Sequence, residues 1–410
     1  MASTFSFGFS GDDIDIDESE FNSTENVSLP QGNDDALPSL VGARKHDMKD
    51  WERGRLQTFQ LSSFVSFLRF PSKHVTIVQT SSLPSQIAYN LLELNGLENQ
   101  AAGTVPEVPP IARREVFDVR TQLMAEDTAD HENEELIAGL EKGDIKPQFY
   151  EGGFKTWECA LDLAKSAVSE DELFCNDENQ TGVQHILELG AGTAVPSLAL
   201  FAQLISQENP ESQRKYHFTF ADYNSEVLRL VTLPNLLLTW NYVVTRQHVL
   251  STNSSPEHQA QDEELDITPE LVDNFEKDLV RRGITVEFIS GAWSPTFVDL
   301  VLSSPGRIST KTLILASETI YSPASLCAFS ETLSTLLRAA EGSGQRRALI
   351  AAKKVYFGVG GGVDEFLAVL EKVSRGSMDV KEKLNINSEG VGRVILEITA
   401  RSSQQQDQQH

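Results

Sequence analysis

The stretch Ile186–Leu200, ILELGAGTAVPSLAL, constrains the fold most. An apolar run leads through Glu188 and Leu189 into Gly190-Ala191-Gly192, and an apolar segment of helical character follows Pro196. That order reads as strand, tight glycine turn, helix. Glycine lets the backbone turn sharply and lets a ligand reach the main chain with no Cβ in the way. Pro196 suits a first helical turn, where a missing N–H costs nothing. Such a unit opens a nucleotide-type site at the carboxyl edge of a parallel sheet. The dinucleotide fingerprint G-x-G-x-x-G is incomplete, because Val195 holds its sixth position, and no G-x-x-x-x-G-K-[ST] occurs. A purely structural βα turn remains the plain alternative.

Downstream, Tyr216–Asp222 (YHFTFAD) alternates and ends in an acid followed by Tyr223-Asn224. An acid at the tip of a second strand is placed to accept hydrogen bonds from both hydroxyls of a ribose. Further strands are expected at Gly283–Ser290, Lys311–Ser317, Arg347–Lys353, Val380–Asn385 and Arg393–Thr399. Helices are expected at Thr156–Val168, at Asn224–Thr239 with a bend or restart at Pro234, at Thr268–Arg282, from Pro323, and at Val363–Val373. The count is seven strands, the first five alternating with helices. The fold class is therefore α/β, a Rossmann-like sheet of five parallel strands closed at one edge by an antiparallel hairpin. Ligands belong at the carboxyl ends of such strands, where Glu188, Gly190, Asp222, Gly291, Trp293, Ser317 and Glu318 fall.

The chain of 410 residues allows more than one domain. An acidic, disordered tail is expected over 1–45, an accessory region over 46–143, the main domain over 144–400 and a Gln-rich tail over 401–410. In the first tail, Phe5, Phe7 and Phe9 precede the acidic block Asp12–Glu20; it is either a solvated tail or a docking peptide. In the accessory region, His46–Leu61 and Gln86–Leu94 read as helices, Val75–Gln79 as a strand, and Glu115–Glu126 as another strand. Glu134–Lys142 reads as helical, and Gln247–Gln261 as a polar loop. The start has neither the basic residues nor the apolar core of a signal peptide, and no run reaches the roughly 18 apolar residues of a membrane span. Three scattered cysteines point to a reducing compartment and no metal site. A formal charge of −26 argues against nucleic acid as the main ligand and is compatible with a basic protein partner.

Several longer pieces carry a resemblance: YEGGFKTWEC (Tyr150–Cys159), ILELGAGTAVPSLA (Ile186–Ala199), ADYNSEVLRLVTLPN (Ala221–Asn235), GAWS (Gly291–Ser294), LILASETIYSP (Leu313–Pro323) and KKVYFGVGGGVDEF (Lys353–Phe366). From about Asp144 to Thr399 the chain resembles the seven-strand protein methyltransferases, and within them the histidine protein methyltransferases. The Glu two residues before G-x-G is a form common among S-adenosylmethionine-dependent methyltransferases. Ala194 departs from the family, standing where many relatives have a third glycine, as does Ala292, where an acid often sits.

The resemblance implies methyl transfer from S-adenosylmethionine to a histidine ring nitrogen of a basic protein, ribosomal protein three of the large subunit. It implies action as a monomer in cytoplasm and nucleus, with no membrane involved. Carried over by motif, the cofactor would touch Thr156, Trp157, Glu158, Cys159, Ala160, Glu188, Gly190, Gly192, Ala221, Asp222, Tyr223, Gly291, Ala292, Trp293 and Ser317. Trp157 reads either as core packing or as a cofactor wall that attracts a sulfonium. Glu318 and Tyr321 occupy the acid-x-x-Tyr place of related lysine enzymes and are the catalytic candidates, Glu318 as proton acceptor and Tyr321 as wall or hydrogen-bonding group. A lysine methyltransferase of the same fold, a non-catalytic interaction scaffold and, more remotely, an NAD enzyme stay open as alternatives.

Overall fold

The computed structural model describes residues 40–48, 83–94, 108–126, 136–137, 140, 152–169, 182–207, 215–251, 263–303, 309–339, 345–357, 360–387 and 391–401. β1 (Arg44–His46), β2 (Gln86–Leu92), β3 (Ile111–Arg114) and α1 (Val116–Glu126) come first. Then follow α2 (Glu158–Ser169), β4 (Val183–Leu189), α3 (Val195–Ser206) and β5 (Lys215–Asp222). A helical turn at Ser225–Val227 and a π-helical turn at Leu228–Thr232 run into α4 (Leu233–Ser251). β6 (Glu263–Asp266), α5 (Pro269–Arg281), β7 (Ile284–Ser290), α6 (Pro295–Ser303), β8 (Ser309–Ser317) and α7 (Pro323–Arg338) continue the chain. β9 (Gln345–Lys353), α8 (Val363–Ser374), β10 (Met378–Ile386) and β11 (Arg393–Ala400) complete it.

Among the described residues the main sheet has eight strands, in the order β1-β7-β5-β4-β8-β9-β11-β10. Its centre, β7-β5-β4-β8-β9, is parallel throughout. The strand order reverses between β4 and β8, which is the switch point where α/β sheets open a crevice. Both faces of the sheet are covered, so β4 and β8 read as near-continuous apolar runs. Leu163, Phe201, Phe218 and Leu236 fill one face, and Phe297, Ile314, Phe329 and Phe366 fill the other.

The sequence expectation of a seven-stranded sheet holds for the centre and the hairpin, and β1 adds an eighth strand, antiparallel to β7. β1 lies where the acidic tail was drawn to end and a helix to begin, because backbone pairing to the free β7 edge organises Arg44–His46 without any apolar alternation. Residues 49–61 of the expected 46–61 helix, all of the 75–79 strand and both tail ends lie outside the described residues. Gln86–Leu92 is a strand, not a helix; Ile87 and Tyr89 are buried on one face at period two. Val116–Glu126 is a helix, not a strand; Val119 and Leu123, four apart, carry its buried side, and the valines gave the misleading β-propensity. β6 lies beyond the end of the expected polar loop; EELD has no strand pattern of its own and is held by pairing to β2.

β2, β3 and β6 form a second, three-stranded sheet, which joins segments on either side of residue 144. Ile87 and Ile111 share one core with Leu163 and Phe201, so the accessory strands are built onto the main domain. The helix expected to stop at Thr239 runs to Ser251, and the break near Pro234 takes the form of the π turn just before it. By length and composition, Ser225–Gln247 is apolar enough to cross a membrane, but 83% of its apolar 18-residue window is buried inside the fold.

Candidate active site

A cavity of about 270 Å³ opens at the carboxyl ends of β4, β5, β7, β8 and β9. That is close to the lower end of small-molecule sites, roughly 300–1,000 Å³. Its floor is the turn Gly190–Thr193. Gly190 and Gly192 adopt φ values of +68° and +51°. Gly192 N–H donates to Asp222 Oδ2 at 3.0 Å, and Asn224 N–H donates to Asp222 Oδ1 at 3.0 Å. Asp222 is thus fixed at the tip of β5, and a carboxylate has lone pairs beyond those two for a pair of hydroxyls.

The turn is pinned from behind. Thr232 Oγ1 donates to the Gly192 carbonyl at 2.7 Å, and Asn235 Nδ2 donates to the Thr193 carbonyl at 3.1 Å. The π turn and the Leu-Pro-Asn segment therefore face the glycine turn directly. Arg113 of β3 donates to Thr156 Oγ1 at 2.8 Å, and Thr156 donates to Thr193 Oγ1 at 3.0 Å. The accessory sheet is wired to the site through Thr156.

Of the residues singled out from sequence, Trp157, Ala160, Gly190, Gly192, Asp222, Tyr223, Ala292, Trp293, Ser317, Glu318 and Tyr321 line the cavity. Thr156, Glu158, Cys159, Glu188, Ala221 and Gly291 stand behind it. Glu158 sits in the first turn of α2, 3.5 Å from Arg393. Glu188 is fully buried, and its Oε2 accepts the Ser197 N–H at 3.0 Å. The residue before α3, Ala194, gives no side-chain cap, so Glu188 caps that helix from the preceding strand. Burial pushes the Glu188 carboxyl up to about 8. Gly291 is needed for a neighbour: a Cβ there would lie 2.6 Å from Ala43 Cα, so its bareness admits the β1 segment. Ala194, in the place of a third glycine, takes the left-handed conformation at φ +59°.

Trp157 is committed on both its polar and aromatic sides. Its Nε1 donates to the Gly152 carbonyl at 3.0 Å, and Lys353 Nζ lies 5.8 Å from its ring centroid. Trp293 packs edge-on against Phe297 and Phe329 at centroid distances of 5.0 and 5.9 Å. The β7 side of the cavity is closed by residues before β1: Leu40 lines it, and Val41 accepts the Ala292 N–H at 3.0 Å.

Glu318 follows β8 directly and adopts φ +55°. A non-glycine residue there costs of order 1–3 kcal/mol and is held only by its surroundings. Its Oε1 is buried with no hydrogen-bond partner. Burial and the Glu318 charge both push the Cys159 thiol and the Tyr356 hydroxyl upward, so both keep their protons. Tyr321 and Tyr356 line the same cavity and meet edge-on, with ring centroids 6.3 Å apart at 64°.

Lys155, Thr319, Lys353 and Tyr356 are lining residues that the sequence reading did not single out. Tyr356 carried a usable signal, an aromatic residue just past the carboxyl end of a strand, as Tyr321 did.

The cavity suits a nucleoside sulfonium such as S-adenosylmethionine by its acid at a strand tip, its bare glycine floor and its aromatic walls. No protein-family model matches the chain. It is 36% identical to histidine protein methyltransferase 1 of Saccharomyces cerevisiae over 70% of this chain and 76% of that protein. It is 37% identical to histidine protein methyltransferase 1 of Schizosaccharomyces pombe over 69% and 75% of the two chains. The Bos taurus homolog of that protein is 30% identical over 74% and 69%. Among solved structures, the rRNA methyltransferase aviRa of Streptomyces viridochromogenes is similar at 10% identity over 60% and 86%, with a TM-score of 0.31. Identity above a third, sustained across three quarters of two relatives, is family likeness: the chain belongs to the histidine protein methyltransferase 1 family, Rossmann-like enzymes whose methyl donor is S-adenosylmethionine.

Proposed function

We propose that the chain methylates a ring nitrogen of a histidine in a basic protein, ribosomal protein three of the large subunit, and that it acts as a monomer in cytoplasm and nucleus. The cofactor supplies an electrophilic methyl group on a sulfonium sulfur. The acceptor needs one free lone pair. Imidazole, with a pKa near 6.5, is about three-quarters neutral at pH 7, whereas a lysine near 10.4 must lose its proton at a cost of roughly 4–5 kcal/mol. An enzyme for histidine therefore has to fix the tautomer and take up the proton of the opposite nitrogen.

The observation that carries this reading is Glu318 Oε1, a buried acceptor without a partner in a residue that lines the cavity. It accepts the N–H of the non-reacting ring nitrogen, leaves the lone pair of the other nitrogen free, and stabilises the cation that forms. Tyr321 walls the ring on one side. Asp222 and the glycine turn hold the nucleoside end of the cofactor. The test is mass spectrometry of ribosomal proteins from cells lacking the chain. Loss of one methyl-histidine from ribosomal protein three, restored by the wild-type chain, is the expected result; an unchanged set of methyl-histidines contradicts it.

A further inference from the structure

We infer that residues 40–46 belong to the cofactor site: Leu40 lies against the purine base of S-adenosylmethionine and of its demethylated product, and β1 holds it there. No acceptor enters into this, so it stands or falls apart from the histidine reading above.

The strand order places the two ends of the cofactor. Glu318 and Tyr321 follow β8, the glycine turn follows β4, and Asp222 ends β5. With the methyl group toward the residues after β8 and the ribose hydroxyls on Asp222, the base falls at the next strand tip in the order, that of β7. Tyr223 follows β5, Ala292 and Trp293 follow β7, and both tips meet Leu40 in the lining of the cavity. Main-chain donors here are spent inside the protein. Gly291 N–H donates to the Asp222 carbonyl at 3.0 Å, and Ala292 N–H donates to the Val41 carbonyl at 3.0 Å. Ala292 brings only a methyl group, and Trp293 is packed edge-on against Phe297. Leu40, Ala292 and Trp293 thus offer apolar surface, suited to the faces of a flat base and not to the charged amino-acid end of the cofactor.

Leu40 reaches this place because the chain behind it is pinned. β1 pairs antiparallel with β7, Arg44 opposite Ser290 and His46 opposite Phe288. His46 Nε2 and Ser290 Oγ share a hydrogen bond of 2.7 Å, and Lys45 Nζ lies 2.7 Å from Oε1 of the buried Glu287. Val41 N–H donates to the Tyr223 hydroxyl at 3.4 Å. The bareness of Gly291 makes the approach possible, since a Cβ on it would stand 2.7 Å from the Gly42 carbonyl oxygen. Leu40 is nevertheless 61% exposed. A single exposed leucine is ordinary. This one also lines the cavity, and the backbone beside it is tied to the tips of both β5 and β7. An apolar side chain fixed on a cavity rim is stabilised when a ligand takes its surface out of water.

The test is calorimetry of the full 410-residue chain with S-adenosylhomocysteine, and with adenosine by displacement, read beside melting temperatures. Leu40→Ala is expected to weaken both ligands by the same factor, roughly 5–20-fold, because the base is common to them. The ligand-free melting temperature is expected to stay within about 2 °C of wild type, Leu40 being mostly exposed. The rise produced by a fixed concentration of S-adenosylhomocysteine is expected to shrink. Leu40→Met, of similar volume, is expected to bind both ligands within about threefold of wild type. Unchanged affinity of Leu40→Ala for S-adenosylhomocysteine overturns the assignment. So does a loss for S-adenosylhomocysteine with adenosine unaffected, which would put Leu40 at the amino-acid end of the cofactor. A loss that Leu40→Met shares in full, or one that comes with a lower ligand-free melting temperature, marks a general disturbance of the fold and overturns it as well.

Discussion

Gly190 and Thr319 meet across the switch point of the sheet: the Thr319 Cγ2 methyl stands 2.6 Å from where a Cβ on residue 190 would lie. The cofactor turn after β4 and the segment after β8 are therefore in contact at this point. Gly190→Ala adds a side chain at φ +68° and pushes on Thr319. It is expected to lower cofactor affinity and turnover together, each by at least roughly tenfold. Calorimetry and initial rates check this; a change in only one of the two would separate the segments.

Asp222 joins the tips of β5 and the glycine turn through Gly192 N–H and Asn224 N–H. Asp222→Ala orphans both donors and removes the acceptor for the ribose hydroxyls. Charge-assisted hydrogen bonds contribute about 1.5–3 kcal/mol each, so losing the pair should lower affinity for S-adenosylmethionine and for its demethylated product by at least roughly 100-fold. Unchanged affinity in calorimetry removes Asp222 from the site.

Gly361→Ala tests the short hairpin after β9, in which Val355 bridges Gly362 and Tyr356 N–H donates to Gly361 O at 3.1 Å, against the segment after β8. The added methyl would lie 2.1 Å from the Tyr321 carbonyl oxygen, so the Glu318–Tyr321 segment must shift. Turnover is expected to fall about 100-fold while cofactor affinity stays within about threefold, since the glycine turn is untouched. Equal losses in both would place the hairpin in cofactor binding.

Two buried groups give stability a pH signature. Glu188 is raised to about 8, so its contribution is full below the ordinary carboxyl range near 4.5 and is lost as pH rises through 8. His185 is lowered to about 3 by burial first and by the His217 and Arg346 charges next, with Glu287 opposing. Its contribution is full above 6.5 and is lost as pH falls toward 3. The melting temperature of Glu188→Gln relative to wild type should therefore rise between pH 6 and pH 9, the amide being spared ionisation. Glu188→Ala, which also uncaps α3, should cost about 0.5–2 kcal/mol at pH 6. Parallel melting curves for wild type and Glu188→Gln across that range would contradict the buried, protonated carboxyl.

The centre of the fold was legible because its strands are buried on both faces and end in glycine, acid or Ser-Glu. Ile186–Leu189 and Leu313–Ser317 have too many apolar residues to be anything but central strands, and Gly190 and Glu318 follow them at the edge where a ligand sits. The accessory strands were not legible, since β1 and β6 owe their form to a partner strand rather than to their own pattern. Glu188 shows a different limit. The spacing E-L-G marks it as part of the site, yet only the geometry reveals that it faces Ser197 and caps a helix. Trp157 was weighed as a wall for the sulfonium, and the nearby Lys353 ammonium, far off in sequence, could not be foreseen.

The role proposed for Glu318 is to take the proton of a histidine acceptor. The most direct test is single-turnover transfer of labelled methyl to purified ribosomal protein three by wild type and Glu318→Gln, with amino-acid analysis of the product. Methyl-histidine is expected from wild type, and the variant is expected to bind the cofactor normally but to transfer methyl roughly 10²–10⁴-fold more slowly. Methyl-histidine formed by Glu318→Gln at the wild-type rate would contradict the role of Glu318, and methyl-lysine as the sole product would contradict the histidine acceptor itself.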